Sequence, residues 1–493
     1  MTCANYGRLP TRLALSLAVF IVLLVLITWA ALQFETKYGA GFFSHYSDLE
    51  ILVRLLTIPA LIATTVFYLT GCSTKGPSSA GMVLESAAAP SEPFRAQVVG
   101  LQWMNPLVRR DYPTEWQLLW TLGVAEPNKN DDMVRTEPKS FGTVQPVTSI
   151  VSTWDGRVTF TRFLGGYVRE VLLPFRHRYA ASPTYFYTVQ PTSQKQWREL
   201  AGIHIELAIP DRRDLVAEDA KSIVQKAVVS TFDIGGSPSV SSRNTPPDVS
   251  ISAGNANVGF TSLSAALDYL QSHPSETVWA MTWDAPEHPR DERMSENFAI
   301  LILAGPNFDT EREPLAWIGR PATRKAKDFE IQPGQPRLVQ AWRAAMEAAA
   351  SNAGRPLTDI GYLIHDAGKA SDAAGKRIAA LGQALAEPLP EFDILKQGFN
   401  NTALMGDTGA GTALTNVALA IAYAHHKGTP VLVAGTTEAD TVAAVVVTPP
   451  ARTRVFDPSK DWFRARGERN AYLPWWGLRR DVDWSRYMQG YSE

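Results

Sequence analysis

Met405-Gly406-Asp407-Thr408-Gly409-Ala410-Gly411 is a turn of small residues that opens directly into an apolar helix with Leu414, Val417, Ala418 and Ile421 on one face. Two β-branched runs follow, Val431 to Val433 and Val442 to Val447. The same layout occurs earlier in the chain. There the glycine-bearing Ser252 to Gly259 leads into a helix that aligns Leu263, Ala266, Leu267 and Leu270, and the strand-like Thr277 to Trp283 and Phe298 to Leu303 come next. Glycine turn, helix, strand, strand, twice over, predicts a pseudo-duplicated layered α/β fold with the two turns facing one another. Continuous apolar strands of this kind require helices on both faces of their sheet.

Outward from these blocks, Val98 to Leu101 and Ile360 to Ile364 read as further strands. Arg337 to Ala353 reads as a helix that places Trp342, Ala345, Met346 and Ala349 on one face. The chain has 493 residues, 45% of them apolar, enough for a large core. Its formal net charge of -2 leaves no electrostatic footprint for nucleic acid, so no such partner is expected. Cys3 and Cys72 are the only cysteines, and both precede the body that starts near Pro93. A thiolate metal site, a disulfide framework and a cysteine nucleophile are therefore excluded from it.

The first 72 residues read as a membrane anchor. Leu13 to Phe34 carries no charge and matches the roughly 30 Å of bilayer hydrocarbon. Ile51 to Leu69 is a weaker second span, since Arg54 must snorkel and Pro59 interrupts it. Arg8 and Arg12 before the first span, against Lys37 alone in the loop, put the N-terminus in the cytoplasm, and two spans return the chain there. A competing reading takes Leu69-Thr70-Gly71-Cys72 as a lipobox, with Cys72 lipidated and the body periplasmic. Residues 73–92, rich in Ser, Gly, Ala and Pro, form a flexible tether. The body then divides into halves at 93–310 and 311–450, followed by an extension at 451–493.

The C-terminal half resembles the thiolase-like fold of ketosynthases. Ile364-His365-Asp366-Ala367-Gly368-Lys369 resembles that family's strand ending in His-Gly-Thr-Gly-Thr, which places His365 on the first catalytic histidine. Asp372 and a helix over Lys376 to Leu385 follow in family order. Gly406-Asp407-Thr408 stands where the family has Gly-His-Thr, and Thr402 where it has a lysine, the nearest lysine being Lys396. The nucleophile position falls on Phe260, with Thr261 and Ser262 as neighbours. Condensation needs a thiolate to carry the acyl group and neutral donors for the developing oxyanion. Phenylalanine offers neither, and an ionised Asp407 would repel the oxyanion. Phe260, His365 and Asp407 thus read as vestigial positions, and the resemblance implies no cofactor.

Other motifs carry less chemistry. The turn at 406–411 lacks the Gly-Lys-Ser/Thr ending of a phosphate loop. His425 and His426 are adjacent, which rules out an i, i+4 metal pair, and they read as a solvated helix end. Asn255 and Asn257 read as turn residues that hydrogen-bond the backbone. After Pro450, by contrast, Trp462, Phe463, Tyr472, Trp475, Trp476, Trp484 and Tyr487 alternate with Arg464, Arg466, Arg469, Arg479, Arg480 and Arg486. Trp, Tyr and Arg dominate interface hot spots, so Trp462, Trp475, Trp476, Arg479, Arg480 and Trp484 are candidate partner contacts. The same rings could equally fold back over their own domain.

Taken whole, the chain is similar to the type VI lipase adaptor family. The likeness rests on the membrane segment, Val98-Val99-Gly100-Leu101-Gln102-Trp103-Met104-Asn105-Pro106-Leu107, and Pro113-Thr114-Glu115-Trp116 opening a helix. It implies a non-catalytic, chaperone-like adaptor that loads a toxic phospholipase onto the spike of a type VI secretion system from the cytoplasmic face of the inner membrane. The alternatives are an acyl-transferring enzyme using Ser262 or Thr261 with His365, and a periplasmic lipoprotein.

Overall fold

The computed structural model describes residues 93–104, 114–125, 160–181, 204–212, 215–232, 234–235, 245–286, 295–308, 313–369, 371–453 and 455. The expected spans, the tether, Cys72 and the aromatic tail from Trp462 onward lie outside these residues. Among the described residues no helix is long and apolar enough to cross a membrane.

The first half runs β1 (Ala96–Met104), α1 (Thr114–Thr121), α2 (Phe160–Ala181), β2 (His204–Pro210), α3 (Ala217–Phe232), β3 (Asp248–Gly254), α4 (Val258–Ser272), β4 (Thr277–Asp284) and β5 (Asn297–Ala304). The second runs β6 (Ala316–Ile318), β7 (Ala322–Lys325), α5 (Arg337–Asn352), β8 (Tyr362–His365), α6 (Asp372–Leu385), β9 (Gly398–Asn400), α7 (Asn401–Met405), α8 (Thr412–Lys427), β10 (Val431–Gly435) and β11 (Thr441–Thr448).

The repeat is explicit in the strand pairing. In the first half β2 pairs parallel with β3 and β4, and β4 pairs antiparallel with β5, which pairs antiparallel with β1. In the second half β8 pairs parallel with β9 and β10, and β10 pairs antiparallel with β11, which pairs antiparallel with β7. β6 joins β1 to β11, so the two mixed sheets make one eleven-stranded sheet, ten strands in a single path with β7 off it beside β11.

Side-chain alternation sorts these strands into layers, because successive residues point to opposite faces. Leu207, Trp279, Met281, Trp283, Ile300 and Ile302 face outward under α2 and α3. Val278, Ala280, Leu301 and Leu303 face the opposite way, into a central core with α4 and α8 that also receives Ile364, Val431, Val433, Val445 and Val447. Leu363, Leu432, Val442, Ala444 and Val446 face outward again, under α5 and α6. The result is helix, sheet, helix, sheet, helix. In β1 the register shifts between Val98 and Gly100, which keeps Ala96 and Val98 on the same side as Leu101 and Trp103.

Burial corrects one expectation outright. Every residue of α8 except Tyr423 and Lys427 is buried, His425 and His426 included. His425 Nδ1 lies 2.8 Å from the Leu315 carbonyl, and the two imidazoles meet edge to face at 5.0 Å. A central helix with a sheet on either side has no solvated face, so its last turn is core.

The two glycine turns meet, as their layout predicts. Gly259 at the start of α4 is so close to α8 that a Cβ there would stand 3.0 Å from that of Ala413. At Gly411 the approach is closer still, since a Cβ would fall 1.4 Å from Asn297 Oδ1. Asn297 is fully buried and its Nδ2 donates to the Thr408 carbonyl at 2.8 Å, so it has no room to withdraw. Gly411→Ala should lower the unfolding free energy by about 2–4 kcal/mol, through overpacking and a broken buried hydrogen bond. Gly375→Ala, in α6 with open space around it, should raise it by about 0.5–1 kcal/mol. Denaturant unfolding followed by tryptophan fluorescence checks both.

Candidate functional site

The candidate residues sit where the strand ends and helix starts of the two halves cross. α4 begins after Asn257, and Phe260, in its first turn, is buried. Asn257 and Phe260 both press on Gly435, the last residue of β10: a Cβ at Gly435 would stand 2.1 Å from Asn257 Oδ1 and 2.8 Å from Phe260 Cε2. Ala434, one residue earlier, is the register partner of His365 at the end of β8. The fold thus brings Phe260 and His365 to one end of the second sheet.

His365 is nearly enclosed, at 5% exposure. Its Nδ1 accepts the Ala367 amide at 3.3 Å, and burial lowers its pKa to about 4, so the ring is neutral at neutral pH. Asp366 beside it is fully buried. It accepts the Thr436 amide, the Thr436 hydroxyl at 2.8 Å and the Thr437 hydroxyl at 2.9 Å. Burial pushes its pKa up, while these donors favour the carboxylate and oppose that rise. Asp366 therefore ties the end of β8 to the chain leaving β10.

Asp407 is exposed and turned to its own turn: its carboxylate accepts the Gly409 amide at 2.8 Å, an Asx turn into the short 3-10 segment Gly409–Gly411 that leads into α8. Its carbonyl accepts the Ser295 amide at 2.7 Å, and Ser295 Oγ donates to the Met405 carbonyl. Thr402 donates to Asn400 Oδ1 at 3.3 Å, and Lys396 pairs with Asp393 at the surface. Of the two hydroxyls that follow Phe260, Ser262 is fully buried and donates to the Glu206 carbonyl at 2.9 Å, whereas Thr261 is exposed. Asn257 departs from its expected role, for its side chain makes no capping bond and both amide atoms lack a hydrogen-bond partner among the described residues. It fills the space over Gly435 instead.

Sequence reasoning missed Asp284. At the end of β4 it is 2% exposed, and its two carboxylate oxygens accept the amides of Ala410 and Ala285, each at 2.8 Å. Thr282 on the same strand donates to the Ala410 carbonyl at 2.8 Å. Desolvation drives the Asp284 pKa up to about 7, against the two amides and Arg212, with Asp407 adding a smaller push upward. The available signal was a carboxylate ending a fully buried, largely apolar strand. Among the described residues no cluster of His, Cys, Asp or Glu could hold a metal.

Residues 315–449 match the family described as type VI lipase adapter protein Tla3, C-terminal. Over that stretch, from just before β6 to the end of β11, this chain is similar to that adapter family. No curated protein matches the chain. Among solved structures it is similar to an oxazolomycin ketosynthase domain of Streptomyces albus (14% identity, TM-score 0.44), covering 76% of this chain and all of that one. It is also similar to OleA of Xanthomonas campestris (12%, TM-score 0.42), over 73% of this chain and all of that one. A ketosynthase from module 6 of the bacillaene synthase of Bacillus subtilis aligns over 74% of this chain and 71% of its own (10%, TM-score 0.47).

A histidine whose folded pKa lies below its unfolded value favours folding above the unfolded pKa and loses that advantage as pH falls through the folded one. For His365 the window runs from 6.5 down to about 4. Asp284, raised to about 7, works in the opposite sense and gains on acidification, so wild type must be compared with a variant that keeps Asp284. The stability difference between wild type and His365→Gln should shift by about 3 kcal/mol against wild type from pH 7 to pH 4. Urea unfolding at stepped pH checks this, and a pH-independent difference would contradict the buried neutral ring.

Proposed function

We propose that this protein is a non-catalytic adaptor that binds a phospholipase-type toxic effector and recruits it to the spike of a type VI secretion system for export. The family match at residues 315–449 carries this reading. The candidate site supports it. Phenylalanine stands at the nucleophile position, the carboxylate of Asp407 serves its own turn, and the Ser262 hydroxyl is committed to the β2 backbone. What remains at the crossing of the two halves is packing and hydrogen bonding that hold the fold together.

In this proposal the effector is held by the body and by the C-terminal cluster of Trp462, Trp475, Trp476, Arg479, Arg480 and Trp484. Large, stiff aromatic rings and arginines supply area and polar handles at small entropic cost. The N-terminal apolar segments attach the protein to the inner membrane with its body in the cytoplasm, the compartment in which an effector is loaded before export.

Co-expression of the tagged full chain with a phospholipase-type effector should recover the effector on affinity capture. Joint Trp475→Ala, Trp476→Ala and Arg480→Ala substitution should cut recovery about ten-fold or more. Failure to retain any lipase or spike subunit would sink the proposal.

A further inference from the structure

Asn401 opens α7 and Asn416 lies on α8, and both are enclosed, at 0% and 1% exposure. One hydrogen bond joins them, from Asn401 Nδ2 to Asn416 Oδ1 at 2.6 Å. A pair of carboxamides has the groups for a second, reciprocal bond that closes a ring. Here that bond is not made, for Asn401 Oδ1 and Asn416 Nδ2 have no hydrogen-bond partner among the described residues. A buried acceptor and a buried donor left in this way would lose their hydration with nothing in return, which native interiors rarely tolerate. The count does not depend on how the amides are assigned. Exchanging oxygen and nitrogen in both side chains reverses the bond and again leaves one oxygen and one NH2 group unmatched.

The unmatched atoms define the chemistry of what completes them. A cation would be drawn to the oxygen and repelled by the NH2 group, and an anion would meet the reverse. A neutral group that donates to one atom and accepts from the other suits both. Each unmatched atom shares its amide carbon with an atom of the existing bond, so one small molecule lying beside that bond can reach both. The enclosure of the two side chains limits its size to about that of water, which is held in protein interiors by two to four polar partners.

We infer that a water molecule is built into the joint between α7 and α8, donating to Asn401 Oδ1 and accepting from Asn416 Nδ2. Its position gives it a task. α7 has five residues, too few to stand as a helix without support. On one side Asn400, its cap, fastens it to the chain beyond β8 by donating to the Gly368 carbonyl at 2.8 Å. On the other side the water-bridged pair fastens it to α8. The chain between the two asparagines includes the turn from Gly406 to Gly411, whose Ala410 amide Asp284 accepts. The water thus closes at α7 the loop of chain that Asp284 holds at the turn. This holds whether or not the protein carries a lipase, so it stands apart from the adaptor reading.

A high-resolution crystal structure of the full chain tests this. It should show a density peak at hydrogen-bonding distance, about 2.7–3.2 Å, from one amide oxygen and one amide nitrogen of the pair. In solution, with the asparagine side chains isotope-labelled at nitrogen, the Asn416 NH2 group should show a nuclear Overhauser effect to a long-lived bound water. Asn401→Leu removes the oxygen to which that water donates and should abolish the signal at Asn416. The wild-type density map decides the matter even if the variant fails to fold. Two amides closed into a reciprocal pair with no density between them, a peak coordinated as a metal ion, or an Asn416 signal that survives Asn401→Leu would each overturn the inference.

Discussion

Ala410 has both of its backbone groups held by one strand of the other half of the molecule: Asp284 accepts its amide and Thr282 donates to its carbonyl. The rest of the fold depends on that clamp and its reciprocal. Asn297 fixes Thr408 beside it, so the turn that starts α8 is seated on β4 and β5. In return, the turn that starts α4 is seated on Gly435 at the end of β10. Each half supplies the socket for the other's helix start. Glycine is required at Gly411 and Gly435 because a neighbour's amide occupies the space a Cβ would need.

This exchange constrains the residues at the crossing of the two halves by packing. Phe260, Asp366 and Asp407 all sit near that crossing, so each is held by packing or hydrogen bonding across it or beside it. Phe260 seals the space over Gly435, Asp366 ties β8 to β10, and Asp407 braces the turn into α8. A buried carboxylate such as Asp284 is costly to keep, and its pKa near 7 expresses that cost. It is matched to two amide donors, those of Ala410 and Ala285.

Much of the architecture was legible. The spacing of Leu263, Ala266, Leu267 and Leu270, and of Leu414, Val417, Ala418 and Ile421, marks helices because those side chains line one face, and all of them are buried. Duplication could be read because each glycine turn precedes a helix and two apolar strands. Less local features could not. β2, whose seven residues include His204 and Glu206, does not look like a buried strand, yet its position between β3 and β4 buries all of it. α2 and α3 gain their outer-layer role from partners far away in sequence. His425 and His426 look like a polar helix end until a second sheet covers them. Phe260, His365 and Asp407 are candidates read from motif order, whereas Asp284, Thr282 and Asn297 act across the two halves and leave no local pattern.

The proposed adaptor role requires that the chain carry out no acyl chemistry. Intact-mass analysis of the full chain after incubation with a series of acyl thioesters tests it most directly. An unchanged mass is the predicted result. A stable acyl adduct mapped to Thr261 or Ser262, and lost in His365→Gln, would contradict it.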